Sequence, residues 1–190
     1  MTRDTRDDPS SDPERCARHA LFVRIDTAFH SGDLEALRSA LDDPPGFPNV
    51  SGPIGICGPI LEYAIYHSPI AFIRTLLDHG ASPNYDDHMG FPSLIAAMSC
   101  QQVAGSRRRD DVHEVLRLLL ERGADVQQRG VNDFTPLHYA VMLNDAPAVE
   151  LLLAHGADRA ARTRIDEYET PLELAERAGH RSLAERLRRA

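Results

Sequence analysis

Apolar residues fall into two alternating patterns along this chain. In the first, a leucine or isoleucine precedes an alanine by three positions: Ile25 and Ala28, Leu61 and Ala64, Leu94 and Ala97, Leu137 and Ala140, Leu172 and Ala175. In the second, apolar residues recur three and four apart: Leu37 and Leu41; Ile73, Leu76 and Leu77; Leu116, Leu119 and Leu120; Val149, Leu152 and Leu153; and a thinner Leu183 and Leu187. That spacing puts one apolar stripe on each of two short helices, so the patterns predict a chain of helix pairs. Gly80, Gly123 and Gly156 each close a second helix and are followed by Ala81, Ala124 and Ala157, which fixes a common frame.

The opening apolar positions recur at intervals of 36, 33, 43 and 35 residues. Five units follow, near 13–48, 49–84, 85–127, 128–160 and 161–190, the first and last imperfect. The distance from opening leucine to closing glycine is 19 in the second and fourth units and 29 in the third, which locates an insert at about 101–110. Residues 1–12 are polar, acid-rich and without apolar period, and are expected to form a disordered tail before a first helix that begins at Pro13. A period near 33 residues means that no unit buries its apolar face alone, so the units must stack.

The sharpest phrase is Thr135-Pro136-Leu137-His138-Tyr139-Ala140, followed by Leu151-Leu152-Leu153-Ala154-His155-Gly156-Ala157-Asp158. Thr135 can cap the first helix and Pro136 fits its first turn, whereas the copies at Pro59 and Pro92 lose the threonine and are expected to be less firmly capped. On these residues the chain resembles an ankyrin-repeat protein. The resemblance implies an all-α fold, an ankyrin-repeat solenoid of about five helix-turn-helix units with short β-hairpin-like loops. It also implies a non-enzymatic protein-protein interaction module, an adaptor, scaffold or inhibitor that binds through the concave groove.

In that register the groove row includes Tyr66, His67, Ser99, Cys100, Met142 and Leu143, and the hairpins add Asp86, Asp87, His88, Met89, Phe91, Asn132, Asp133, Phe134 and Tyr168. Tyr66, Phe91, Phe134 and Met142 are the expected anchors, because large apolar side chains on such a face mark an interface. Asp86, Asp87, Asp133, Asp166 and Glu167 would form an acidic rim that steers a basic partner. The competing reading is that Phe91 and Phe134 pack against their own hairpins and Met142 and Leu143 against the neighbouring unit.

Net charge is −8 and all 21 basic residues are arginine, which makes nucleic acid a poor partner. Arg107-Arg108-Arg109 is followed by Asp110-Asp111 and reads as a solvated loop, or as a site for phosphate or an acidic partner; the insert reads as plain disorder or as a loop that orders on binding. The absence of lysine suits a GC-rich, bacterial genome, or else a secreted effector that offers host ubiquitin-conjugating machinery no amine. No membrane-length apolar run or signal sequence appears, and three scattered cysteines argue for reduced thiols, so a cytoplasmic monomer without metal or cofactor is expected. Histidines 79, 138, 155 and 180 occupy positions typical of the repeat. A catalytic alternative pairs Cys100 with His67, on proximity alone; no catalytic, cofactor-binding or metal residue is assigned.

Overall fold

The computed structural model describes residues 12–51, 58–85, 91–100, 109–130, 133–164 and 168–189. Among these it contains ten helices: α1 (Pro13–Ser31), α2 (Leu34–Ala40), α3 (Ile60–His67), α4 (Ile70–Asp78), α5 (Ser93–Ser99), α6 (Val112–Glu121), α7 (Pro136–Met142), α8 (Ala146–Ala154), α9 (Pro171–Arg177) and α10 (Arg181–Arg189). Consecutive helices pack as five pairs, and the first helices α1, α3, α5, α7 and α9 touch in sequence to form a continuous row. The expected all-α repeat solenoid is therefore the observed architecture. The expected tail up to residue 11 and most of the insert, 101–108, lie outside the described residues.

The two apolar patterns become one core. Ile25, Leu61, Leu94 and Leu137 are buried on the first helices, as are Leu37, Ile73, Leu76, Leu116, Leu119, Val149 and Leu152 on the second. At roughly 25 cal/mol per Å² of apolar surface, each fully buried leucine adds about 2–3 kcal/mol, and only adjacent pairs supply the burial. Leu41, Leu153 and Leu172 sit at the margin, half-buried against this core.

Caps divide as their residue types dictate. Thr135 and Thr170 each form a capping box, with His138 and Glu173 reaching back to the cap, and Asp12, Asp33 and Asp145 cap α1, α2 and α8. Pro59 and Pro92 give α3 and α5 no side-chain cap. At the other ends Gly80, Gly123 and Gly156 have φ of 89°, 83° and 86°, and the following alanine amides donate to Leu76, Leu119 and Leu152 at 2.9–3.0 Å.

A set of amide staples, invisible in the hydrophobic pattern, joins successive pairs. Asn49 Nδ2 donates to the Gly80 carbonyl at 2.8 Å while its Oδ1 accepts from Ser82 N–H at 2.7 Å. Asn84 repeats both bonds to Gly123 and Asp125, again at 2.8 and 2.7 Å, and Gln127 Nε2 reaches the Gly156 carbonyl at 3.0 Å. Each staple satisfies groups left over where a second helix ends in the next unit.

Arg109 corrects the expected solvated basic loop. It is only 2% exposed, and its Nη1 donates to the carbonyls of Ile65 and Ser68 at 3.1 and 2.7 Å, the C-terminal end of α3. Its Nε and Nη2 hold both Asp111 oxygens at 2.9 and 2.8 Å. A bidentate guanidinium that neutralises a carboxylate and caps a helix can be buried where an isolated charge cannot.

A Cβ at Gly123 would meet no atom within 4 Å, so a side chain there is opposed by the backbone conformation alone. Gly123→Val is expected to lower unfolding free energy by about 1–2 kcal/mol, read from the urea midpoint. An unchanged midpoint would contradict the assigned role of this glycine.

Candidate protein-binding face

The row of first helices supplies the candidate face, and burial sorts its expected members. Met142, at the last turn of α7, is 40% exposed, and Tyr168, in the hairpin entering α9, is 61% exposed; with Val23 they are the exposed large hydrophobics among the described residues. Tyr168 has φ 54° and its ring lies under the Arg162 guanidinium at 5.6 Å. Arg162 Nη1 also donates to the Tyr168 carbonyl at 2.8 Å and pairs with Glu173, which locks the hairpin with its aromatic ring outward-exposed.

Tyr66, Ser99 and Cys100 are corrections, because all three are interior. Tyr66 is 9% exposed, and its hydroxyl lies 3.2 Å from Ser99 Oγ across the α3–α5 joint. The Cys100 thiol donates to the carbonyls of Ile65 and Ala96 at 3.4 and 3.3 Å. Burial pushes that thiol up to about 11, so it stays protonated at neutral pH and is poorly suited to the nucleophile role. Burial raises the Tyr66 hydroxyl as well.

Phe91, Phe134 and Leu143 are half-buried and packed against the core. Phe134 also lies 5.9 Å from the His138 ring. Asp133 is a further correction to the acidic rim. Its Oδ2 accepts from Arg129 Nη1 at 2.6 Å and from the Arg164 amide at 2.7 Å, so its charge is committed to joining two hairpins. Asp86, Asp87, His88, Met89, Asn132, Asp166 and Glu167 lie outside the described residues.

His67 is half-buried and belongs to a cluster that sequence reading did not assemble. Its ring lies 4.2 Å from that of Tyr63 and 5.8 Å from that of His30, and Tyr63 stacks in turn on buried Phe29 at 4.7 Å. Tyr63 Oη donates to Asp26 Oδ1 at 2.7 Å, and His30 Nδ1 stands 3.2 Å from the same oxygen. Burial, then the neighbouring His30, lowers the His67 pKa. The signal available in the sequence was Asp26 and His30 four apart on one helix, and Tyr63 and His67 four apart on the next.

Two equivalent positions tie the hairpins to the helices with opposite chemistry. His138 is buried, its Nδ1 faces Thr135 Oγ1 at 2.8 Å and its Nε2 donates to the Glu169 carbonyl at 3.0 Å; burial lowers its pKa against the opposing pull of that bond. In the second unit the same position is Glu62, 5% exposed, whose Oε1 accepts from the Phe91 amide at 2.9 Å. Among the described residues its Oε2 is buried without a partner, as is the Tyr85 hydroxyl, and burial raises the Glu62 carboxyl to about 7. Among the described residues, no set of three or more histidine, cysteine, aspartate or glutamate side chains is placed to hold a metal ion. No described helix is long and apolar enough to cross a membrane.

A family model for ankyrin repeats, in three copies, matches residues 103–189. The chain is similar to ankyrin repeat and SOCS box protein 11 of Danio rerio, 39% identical over 120 residues that make up 63% of this chain and 36% of that protein. It is similar to transient receptor potential channel pyrexia of Drosophila melanogaster, 36% identical over 120 residues, 63% of this chain and 11% of the relative. It is also similar to putative E3 ubiquitin-protein ligase XBAT34 of Arabidopsis thaliana, 32% identical over 123 residues, 64% of this chain and 30% of the relative. The chain thus spans a minor part of each, 36% at most. A fish, an insect and a plant supply these relatives, which gives a bacterial origin no support. Ankyrin repeats are protein-interaction modules.

Because the native state holds the Glu62 proton more tightly than the unfolded chain, it binds more protons between about pH 4.5 and 7, and stability falls as pH rises through that window. Glu62→Gln keeps an acceptor for Phe91 N–H and removes the buried charge. It is expected to flatten that part of the stability–pH curve and to raise stability at pH 8 by on the order of 1–3 kcal/mol. Parallel curves for parent and variant in urea titrations would contradict the assignment.

Proposed function

We propose, for a chain built of ankyrin repeats, that it binds another protein non-covalently through the face formed by its first helices and their hairpins. The observation that carries this reading is the exposure of Met142 and Tyr168 on α7 and on the hairpin entering α9, two helices in direct contact. Neither side chain is used by the core, and the Tyr168 ring is held in place by Arg162, so an anchor is presented with little ordering left to do. His67 and the half-buried Phe91, Phe134 and Leu143 would lie around these anchors as contact surface. An overall charge of −8 favours a partner with a basic surface.

The role is that of an adaptor, scaffold or inhibitor rather than a catalyst. The thiol that a cysteine enzyme would need is buried and acts as a donor to two carbonyls, which supports this choice. The same buried thiol supports a cytoplasmic setting. The absence of lysine favours a second reading, a secreted effector that acts on a host protein while offering few amines for modification.

Met142→Asp combined with Tyr168→Asp is expected to abolish capture of the partner retained by the parent chain from native lysate, with an unchanged helical circular-dichroism signal. Both substitutions are at exposed positions, and aspartate tolerates the positive φ at Tyr168. Equal capture by parent and double variant, scored by mass spectrometry, would remove this face from consideration.

A further inference from the structure

The chain twice builds the same composite contact for its own arginines. Arg162 lies 5.6 Å over the Tyr168 ring while its Nη1 meets Glu173 Oε2 at 2.9 Å. Arg38 lies 5.8 Å over the Phe47 ring while its Nη2 meets Asp43 Oδ1 at 2.7 Å. In both, a planar guanidinium stacks on a ring and pairs with a carboxylate, a combination that a compact ammonium does not match.

The cluster on α1 and α3 has the same parts without an arginine of its own. Asp26 is one-third exposed, at 33% of its side chain, and its Oδ1 is engaged by Tyr63 Oη at 2.7 Å. Oδ2 has no hydrogen bond within the described residues, and no described arginine pairs with this carboxylate. Beside it the His30 side chain is 50% exposed and the His67 ring is 5.8 Å away, their planes tilted by 48°. Tyr63 fixes the arrangement from beneath, stacked on His67 and bonded to Asp26, itself backed by buried Phe29.

We infer that Asp26, His30, Tyr63 and His67 form a subsite for an arginine side chain of the partner protein, with the guanidinium against the two imidazoles and paired to the open Asp26 oxygen. This rests on the reading that the first-helix face binds protein, and it adds a second contact to Met142 and Tyr168. The lowered pKa of His67 keeps that imidazole uncharged at neutral pH, so its face attracts a cation. His30 Nδ1 is directed to the Asp26 backbone carbonyl at 2.8 Å, which holds its ring beside the carboxylate and leaves Oδ2 open. Tyr63 is a positioning residue, since its hydroxyl fixes Asp26 and its ring fixes His67.

The test is a proton NMR titration of the full chain at pH 7.5 with N-acetyl-arginine amide, following the His30 and His67 ring signals. N-acetyl-citrulline amide serves as the uncharged isostere and N-acetyl-lysine amide as the ammonium control. Saturable shifts at both histidines with the arginine probe are expected, with at least about fivefold weaker binding by the lysine probe, none by the citrulline probe, and at least about fivefold weaker arginine binding in Asp26→Asn. Asn keeps an acceptor for Tyr63, so that variant removes charge without removing the bond that orients the cluster. His67→Leu, which deletes one stacking face and leaves Asp26 intact, is expected to weaken the arginine probe as well. Absence of saturable shifts, equal response to citrulline or lysine, or an unchanged titration in both variants overturns the subsite. A chain that captures protein through Met142 and Tyr168 yet ignores the arginine probe loses this subsite and keeps the binding face.

Discussion

The interaction on which the structure depends is the joint between one helix pair and the next. A pair such as α3 and α4 has an apolar stripe on each helix and nothing of its own to cover both, so Leu61, Ile73 and Leu76 are buried only because neighbours lie against them. Burial alone is non-directional and would tolerate sliding. The amide staples remove that freedom: Asn84 reads one carbonyl and one amide just past the end of α6, and both bonds are made only in one register. Arg109 does comparable work at the opposite end of α3, where it binds two helix-terminal carbonyls and so ties the third unit's insert to the second unit.

The joints also decide which side chains remain for function. Tyr66 and Ser99 close on each other across the α3–α5 contact, and Cys100 is drawn to the Ile65 carbonyl, so the middle of the expected groove row becomes interior. Among the described residues of the row, exposure is left at the two flanks: the Asp26–His30–Tyr63–His67 cluster on one side, and Met142 with Tyr168 on the other. The hairpins are held by equivalent positions of opposite chemistry, His138 donating and Glu62 accepting, so acid favours the Glu62 joint and opposes the His138 joint. In the histidine case the depressed pKa means that stability is lost as pH falls below the ordinary histidine range.

Much of the fold was legible because its rules are local. The spacing of leucines announced the helices, the glycines at 80, 123 and 156 announced their ends through positive φ, and Thr135 announced its cap. The staples were not legible, because asparagine and glutamine at 49, 84 and 127 fall at unequal intervals once the insert intervenes, and an amide in a polar loop carries no pattern. Arg109 was misread for a related reason: a run of like charges is ordinarily solvated, and only the three-dimensional placement of the α3 carbonyls shows why one member is buried. The candidate face was half legible. Met142 and Tyr168 stand exposed as the register implies, whereas Tyr66, Ser99 and Asp133 have partners 33, 33 and 31 residues away that no single helix pattern contains.

Hydrogen exchange at the Asp125 amide tests the joint most directly, because this N–H belongs to an exposed residue and its acceptor is the Asn84 side chain of the preceding unit. The account predicts slow exchange in the parent chain and a rise of at least about tenfold in Asn84→Ala, corresponding to roughly 1.4 kcal/mol of lost protection, while amides inside α7 keep theirs. Exchange in the parent at the rate of a solvated loop amide, or the same rate in both chains, would contradict it.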